Sequence, residues 1–252
     1  YKIGGAGGRN GEISLRALHN LCAVNKERQE QAAMAGLIPI LVQIVNTSTR
    51  TSADGSPVPQ ALTLAVPLLC AMASTSRKTR ESLEKHGALD AYVTLASVSS
   101  GWTLSALDAI GSWLAIEPWK VEARLLESDA ISSLVEALEE STSQANVLEA
   151  LLNLIGKSPR LCQALANEGF IPPLMDAITD VNTKPTIRLT LLKTLGVLHE
   201  HAQRPKELII RHDVVARLKS LFNAAGDARQ SETMVEQLVE KILRSMRLTR
   251  VV

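Results

Sequence analysis

One short pattern recurs five times along this chain and limits the possible folds more than any other feature. It consists of a small or acidic residue, two apolar residues, two variable ones and then an apolar pair. The copies are Gly36-Leu37-Ile38-Pro39-Ile40-Leu41-Val42, Gly87-Ala88-Leu89-Asp90-Ala91-Tyr92-Val93, Asp129-Ala130-Ile131-Ser132-Ser133-Leu134-Val135, Gly169-Phe170-Ile171-Pro172-Pro173-Leu174-Met175 and Asp213-Val214-Val215-Ala216-Arg217-Leu218. Their spacings are 51, 42, 40 and 44 residues. Self-similarity at such a period marks stacked supersecondary units, none of which can bury its apolar face alone. The longer first interval contains Asn46 to Pro59, a Ser/Thr/Gly/Pro stretch that reads as an inserted loop at 46–59.

Each copy sits in the same frame. A helix of about ten residues precedes it, over Lys26–Ala35, Arg77–His86, Pro118–Ser128, Pro159–Glu168 and Pro205–His212. The signature Gly then ends that helix with a left-handed cap, and a second helix begins at once. Pro39, Pro172 and Pro173 fit there, because the first helical turn has no amide partner to lose. A third, longer helix follows a short polar break, over Gln60–Ala73, Trp102–Ala115, Ser143–Gly156 and Pro185–His199. Glu12–Ala23 reads as the third helix of a leading unit and Thr233–Leu248 as the closing one.

Apolar residues recur at helical intervals, as in Leu148, Leu151, Leu152, Ile155 and in Ile13, Ala17, Leu18, Leu21, Val24. The composition agrees. Of 252 residues 46% are apolar but only 3% aromatic, which suits close helix-on-helix packing better than sheet. The 27 Lys plus Arg against 26 Asp plus Glu, with so much apolar content, exclude a mainly disordered chain. No apolar run approaches the roughly 18 residues that cross a bilayer, so no membrane association is expected. Cys22, Cys70 and Cys162 lack paired spacing and read as reduced core residues of an intracellular protein.

Three helices per roughly 42 residues resemble the armadillo repeat. The expected fold is therefore all-α, a right-handed superhelical solenoid of about five such repeats. It forms one domain over 12–252 after a flexible linker edge at 1–11 containing Gly4-Gly5-Ala6-Gly7-Gly8. Leu18-His19-Asn20-Leu21-Cys22 and Leu151-Leu152-Asn153-Leu154-Ile155 are similar to the end of the armadillo third helix. In that family an Asn there points into the concave groove and bonds the backbone of an extended peptide. The other units put Ala71, Ser112 and Val197 near that position. The Trp that importin-like arrays carry four residues earlier is replaced by Arg16, Asp108, Glu149 and Lys193. The resemblance therefore extends to the fold and not to capture of nuclear-localisation signals.

A narrower resemblance rests on Leu21-Cys22-Ala23-Val24-Asn25-Lys26-Glu27-Arg28-Gln29 leading into Gly36-Leu37-Ile38-Pro39. Val121-Glu122-Ala123-Arg124-Leu125-Leu126 and Ile187-Arg188-Leu189-Thr190-Leu191-Leu192-Lys193 add to it. These resemble the C-terminal non-catalytic region of the fungal septation-initiation and mitotic-exit protein kinases and their plant relatives, the epsilon MAP kinase kinase kinases. The resemblance implies a serine/threonine kinase as the parent protein, with its kinase domain outside this segment. It also implies a module docking on a scaffold or regulatory partner in cytokinesis signalling, in the cytoplasm or at the spindle pole body.

Nothing in the segment carries catalysis. A Gly-rich phosphate loop after a strand, a His-Arg-Asp loop and an Asp-Phe-Gly site are all missing from the sequence. Gly156-Lys157-Ser158 leaves a helix instead of entering one, so it reads as a helix end followed by a Ser-Pro helix start. His199 and His201 stand two apart, so they diverge around a helix and read as solvated helix-end residues and not as metal ligands. No cofactor is expected. The basic residues Arg77, Lys78 and Arg80 and the tail Arg244, Arg247 and Arg250 lack interleaved aromatics, so nucleic acid is not the expected partner. Positions 101–200 hold 13 acidic and 7 basic residues between net basic flanks, a complementary partner surface or simply solvated outer faces.

Binding is left as the function, with a groove of third helices taking an extended or helical segment of a protein partner. The candidate partner-binding residues are Arg16, Asn20, Asp108, Ser112, Glu149, Asn153 and Lys193, with Trp102 at the rim. Of the other tryptophans, Trp113 falls on a core position and Trp119 at a helix start. The alternatives are a homodimerising or autoinhibitory structural domain, and an importin- or catenin-like peptide adaptor. Ser56 and Ser158 precede prolines, which makes both proline-directed phosphorylation motifs.

Overall fold

The computed structural model describes residues 9–52, 60–97, 101–140, 144–167, 169–224, 237–242 and 244. They form helices α1 (Arg9–Cys22), α2 (Lys26–Met34), α3 (Leu37–Ser52), α4 (Gln60–Met72), α5 (Arg77–Lys85), α6 (Ala88–Ser97), α7 (Thr103–Ile116) and α8 (Pro118–Leu125). Then come α9 (Ser128–Glu140), α10 (Ala145–Gly156), α11 (Pro159–Asn167), α12 (Ile171–Thr179), α13 (Pro185–His201), α14 (Pro205–Arg211) and α15 (Val214–Ala224). Residues 237–242 are also helical, and the described residues contain no strand. No single described helix is long and apolar enough to cross a membrane.

The chain divides into two compact units, Tyr1–Val121 and Glu122–Val252. Within the first, like helices stack on like. Third helix α1 packs on α4 and α4 on α7, second helix α3 on α6, and first helix α2 on α5. In the second unit α10 packs on α13 in the same way, and α12 packs on both α9 and α15. Burial follows from that stacking. Val66, Leu69 and Met72 of α4 and Leu191, Leu195 and Leu198 of α13 are withdrawn from water. At about 1.5–3 kcal/mol for each fully buried aliphatic side chain, this apolar burial dominates the stability of each unit.

The signature residue does what its backbone requires. Gly36, Gly87 and Gly169 have φ of 89°, 69° and 91°, and Asp213, at φ 49°, takes the same left-handed turn with a side chain. Asp129 differs. It lies inside the first turn of α9, and its carboxylate accepts from both terminal nitrogens of Arg124 at 3.1 and 2.7 Å. That guanidinium holds the Asp129 carboxyl below the usual carboxylate range.

A polar contact recurs in the same register, six or seven residues before each of the first four signatures, between a first helix and the connection into the next first helix. Thr75 Oγ1 donates to Gln29 Oε1 at 2.6 Å, and Arg80 pairs with Glu117 at 3.4 Å. Ser158 Oγ donates to Glu122 Oε1 at 2.6 Å, and Gln203 Nε2 donates to Gln163 Oε1 at 3.3 Å. The residue types change from repeat to repeat while the geometry stays, so the link shows only in three dimensions.

Two boundaries and the orientation of one helix face differ from expectation. The helix expected from Glu12 starts at Arg9, so Arg9–Gly11 are not linker; residues 1–8 lie outside the described residues. The expected loop at 46–59 is helical as far as Ser52, the rest of it lying outside the described residues. Asn, Thr and Ser cost only a few tenths of a kcal/mol each in a helix, and buried Ile38, Leu41 and Val45 have already nucleated α3. On α1, the apolar face expected to be core is turned outward. Ile13, Leu21 and Val24 are exposed, while Leu15 and Cys22 are buried. Both faces of this helix are apolar, and α2 and α4 cover only one of them.

Candidate partner-binding site

The candidate residues all fall on third helices, and most reach water. Arg16, Asn20, Asp108, Glu149, Asn153 and Lys193 are exposed, while Ser112 and Trp102 are half-buried. In the first unit Arg16 and Asn20 stand one turn apart on α1, with Arg16 paired to Glu12 at 3.1 Å. Asp108 and Ser112 stand one turn apart on α7, the helix on the other side of α4. The Asp108 carboxylate acts on Cys70 of α4, whose thiol is pushed up to about 12, first by burial and then by that charge. Trp102 precedes the first turn of α7 with its indole nitrogen buried and without a partner among the described residues. It is a partly covered side chain.

In the second unit Asn153 of α10 and Lys193 of α13 line one open cleft of about 1110 Å³. Glu149, a turn before Asn153, does not line it. Leu152, Leu192, Leu238 and Ile242 supply apolar walls, and Lys157, Lys241 and Glu200 join Lys193 as its charged groups. The cleft thus spans α10, α13 and the helical residues 237–242, all third-helix positions in the repeat frame.

His199 corrects the sequence expectation of a solvated histidine. It is 8% exposed, lines the cleft, and its Nε2 is buried without a hydrogen-bond partner among the described residues. Burial lowers its pKa from the ordinary histidine value, against the opposing pull of Glu200. His201 lies at 3.0 Å from the Val197 carbonyl through Nδ1. Gly156 and Gly196 also line the cleft, and a Cβ added to either would meet nothing within 4 Å. The sequence contained one usable signal for this site: Gly196 in the interior of a long helix, where glycine costs about 1 kcal/mol relative to alanine. Lys241 and His199 carried no signal, because their positions depend on how three helices far apart in sequence stack.

The remaining chemistry-bearing groups are structural. Cys22 and Cys162 are buried with raised thiol pKa values, that of Cys162 at about 11, chiefly through desolvation. Thiols held neutral in this way are poor nucleophiles. Trp113 is buried and donates Nε1–H to Glu117 Oε2 at 3.1 Å, while Trp119 is exposed with the Lys120 ammonium 5.2 Å from its ring. No group of three or more His, Cys, Asp or Glu among the described residues is placed to hold a metal ion. Ser158 is wholly buried as the N-terminal cap of α11, and Ser56 lies outside the described residues.

No family model matches the chain. It is 36% identical to MAP3K epsilon protein kinase 1 of Arabidopsis thaliana over 94% of its own length and 17% of that protein. It is 31% identical to cytokinesis protein sepH of Aspergillus niger over 82% of the chain and 15% of that protein. With cell division control protein 7 of Schizosaccharomyces pombe it shares 25% identity over 93% of the chain and 21% of that protein. The chain thus spans about a fifth or less of the length of these relatives. Among solved structures, a designed armadillo repeat protein superposes with a TM-score of 0.61 at 17% identity, over 95% of each chain. A second designed armadillo repeat protein, in complex with the peptide (KR)4, gives 0.55 at 16% identity over 93% of each. The chain is an all-α armadillo-repeat segment, homologous to one stretch of the MAP3K epsilon, sepH and cell division control protein 7 proteins.

Proposed function

We propose that this segment, acting as one domain over 12–252, is a non-catalytic interaction module that docks a protein kinase onto a scaffold or regulatory partner. The setting is cytokinesis signalling, in the cytoplasm and at the spindle pole body. The matched relatives carry kinase and cytokinesis names, and the match covers only a small part of them, which supports a non-catalytic portion of a larger kinase. The observation that carries the docking role is the cleft in the second unit. It places an exposed Asn153 amide beside an apolar wall long enough for several residues of an extended segment.

A basic peptide of the kind held by the designed relative is a poor fit, because three lysines line this cleft against one glutamate. Homotypic association is the second reading, favoured by the exposed Ile13 and Leu21 of α1 and Val24 just after it. Affinity capture from a cell extract in moderate salt, with the wild-type chain and the double variant Asn153→Ala/Lys193→Ala side by side, tests the docking role. A protein retained by the wild type and lost by an equally folded variant supports it. Equal retention by both places docking elsewhere, and a concentration-dependent dimer abolished by Leu21→Ser favours the homotypic reading.

A further inference from the structure

Three independent features of the second-unit cleft point to the chemistry of its occupant. The first is charge. Lys157, Lys193 and Lys241 bring ammonium groups to the cleft against the single carboxylate of Glu200. Lys193 and Lys241 are both exposed, and neither makes an ion pair among the described residues. The second is the His199 imidazole, more than nine-tenths buried, facing the cleft and with Nε2 unsatisfied among the described residues. A buried polar nitrogen without a partner is costly and finds one when a ligand supplies it. The third is the pair Gly156 and Gly196, where an added Cβ would meet nothing within 4 Å. Glycine within α13 is disfavoured by about 1 kcal/mol relative to alanine, and its missing side chain leaves the cleft floor open for another backbone to lie on the helix.

We infer that this cleft holds an acidic peptide segment, extended over Gly196, with Asp or Glu side chains paired to Lys193 and Lys241. The Asn153 amide bonds the peptide backbone, and His199 Nε2 completes its hydrogen bonding against the segment. Apolar side chains of the segment pack on the half-buried Leu152 and Leu238. The inference rests on the docking role above and adds the character of the partner. Long-range attraction between lysines and carboxylates also makes the association faster and salt-sensitive.

The experiment uses the full 252-residue chain and three fluorescent peptides of equal length: one alternating Glu with Leu, one alternating Lys with Leu, and one alternating Ser with Leu. Fluorescence anisotropy is expected to show saturable binding of the Glu peptide alone, weakening as salt rises. The double reversal Lys193→Glu/Lys241→Glu is expected to weaken it by about tenfold or more. Gly196→Phe is expected to abolish binding by placing a ring on the cleft side of α13, where a Cβ meets nothing within 4 Å, with the helical circular-dichroism signal kept. Preference for the Lys peptide, equal binding of all three, or an unchanged affinity in the charge-reversed chain overturns the inference. The same variants in the capture assay separate the two levels of argument. If Gly196→Phe loses the cellular partner but charge reversal does not, docking at the cleft stands and the acidic character falls. If neither variant loses the partner, the docking role of the cleft falls with it.

Discussion

At Ser158 one hydroxyl makes two hydrogen bonds. It donates to Glu122 Oε1 at 2.6 Å and accepts from the Leu161 amide at 3.1 Å, joining α8 to the capped start of α11 with no exposure to water. Ser158→Ala removes a helix cap and a hydrogen bond to a largely buried carboxylate, and is expected to destabilise the chain by about 2 kcal/mol in urea unfolding. A loss below about 0.5 kcal/mol would show that the cap is not formed. The burial also answers the Ser-Pro motif at this position, since a kinase reaches Ser158 only after α11 opens. His199 makes a pH prediction. Its folded-state pKa lies below the ordinary value, so as pH falls below about 6.5 the unfolded chain takes up the proton first. Its contribution is therefore kept above that pH and lost on further acidification. His212, lowered first by burial and then by Arg211 and Arg217, adds a loss of the same sign. The urea midpoint is expected to fall between pH 7 and pH 5 for the wild type and to fall less for His199→Gln. An identical slope in the two proteins would mean that His199 is not desolvated.

Among the elements, α13 combines strength and function. Eight of its seventeen residues are buried, Ile187, Leu191, Leu195 and Leu198 among them anchoring the second unit, while a Cβ on Gly196 at its cleft side would meet nothing within 4 Å. Gly196→Ala is expected to stabilise the chain by about 0.5–1 kcal/mol, read as a higher thermal midpoint, because a methyl group there meets nothing. A lower midpoint would show that the helix needs the glycine for its own packing. The helices themselves were largely legible in the sequence. Pro118, Pro159, Pro185 and Pro205 open helices where helix-start chemistry places them, and the left-handed turns at Gly36, Gly87 and Gly169 mark where first helices end. What was not legible depended on neighbours. The outward turn of Ile13 and Leu21 is set by which side of α1 meets α2 and α4, and the run to Ser52 in α3 by anchoring residues upstream. Of the candidate site residues, Asn153 and Lys193 meet at one cleft because α10 and α13 stack. Arg16, Asn20, Asp108 and Ser112 belong to the first unit, and the cleft does not include them.

For the whole molecule, the repeat converts local sequence into extended binding surface. No repeat can bury its own apolar face, so within each unit third helices pack on one another, α1 on α4 and α4 on α7 in the first and α10 on α13 in the second. The polar links at Gln29–Thr75, Arg80–Glu117, Glu122–Ser158 and Gln163–Gln203 then fix how consecutive repeats meet inside each unit. The central claim is that third helices, and the α10–α13 cleft above all, receive the partner. Hydrogen exchange of the full chain, alone and bound to the protein it captures, tests this most directly. The account predicts slowed exchange in α10, α13 and residues 237–242. Protection confined to first and second helices such as α2, α5 and α12, with α10 and α13 unchanged, would contradict it.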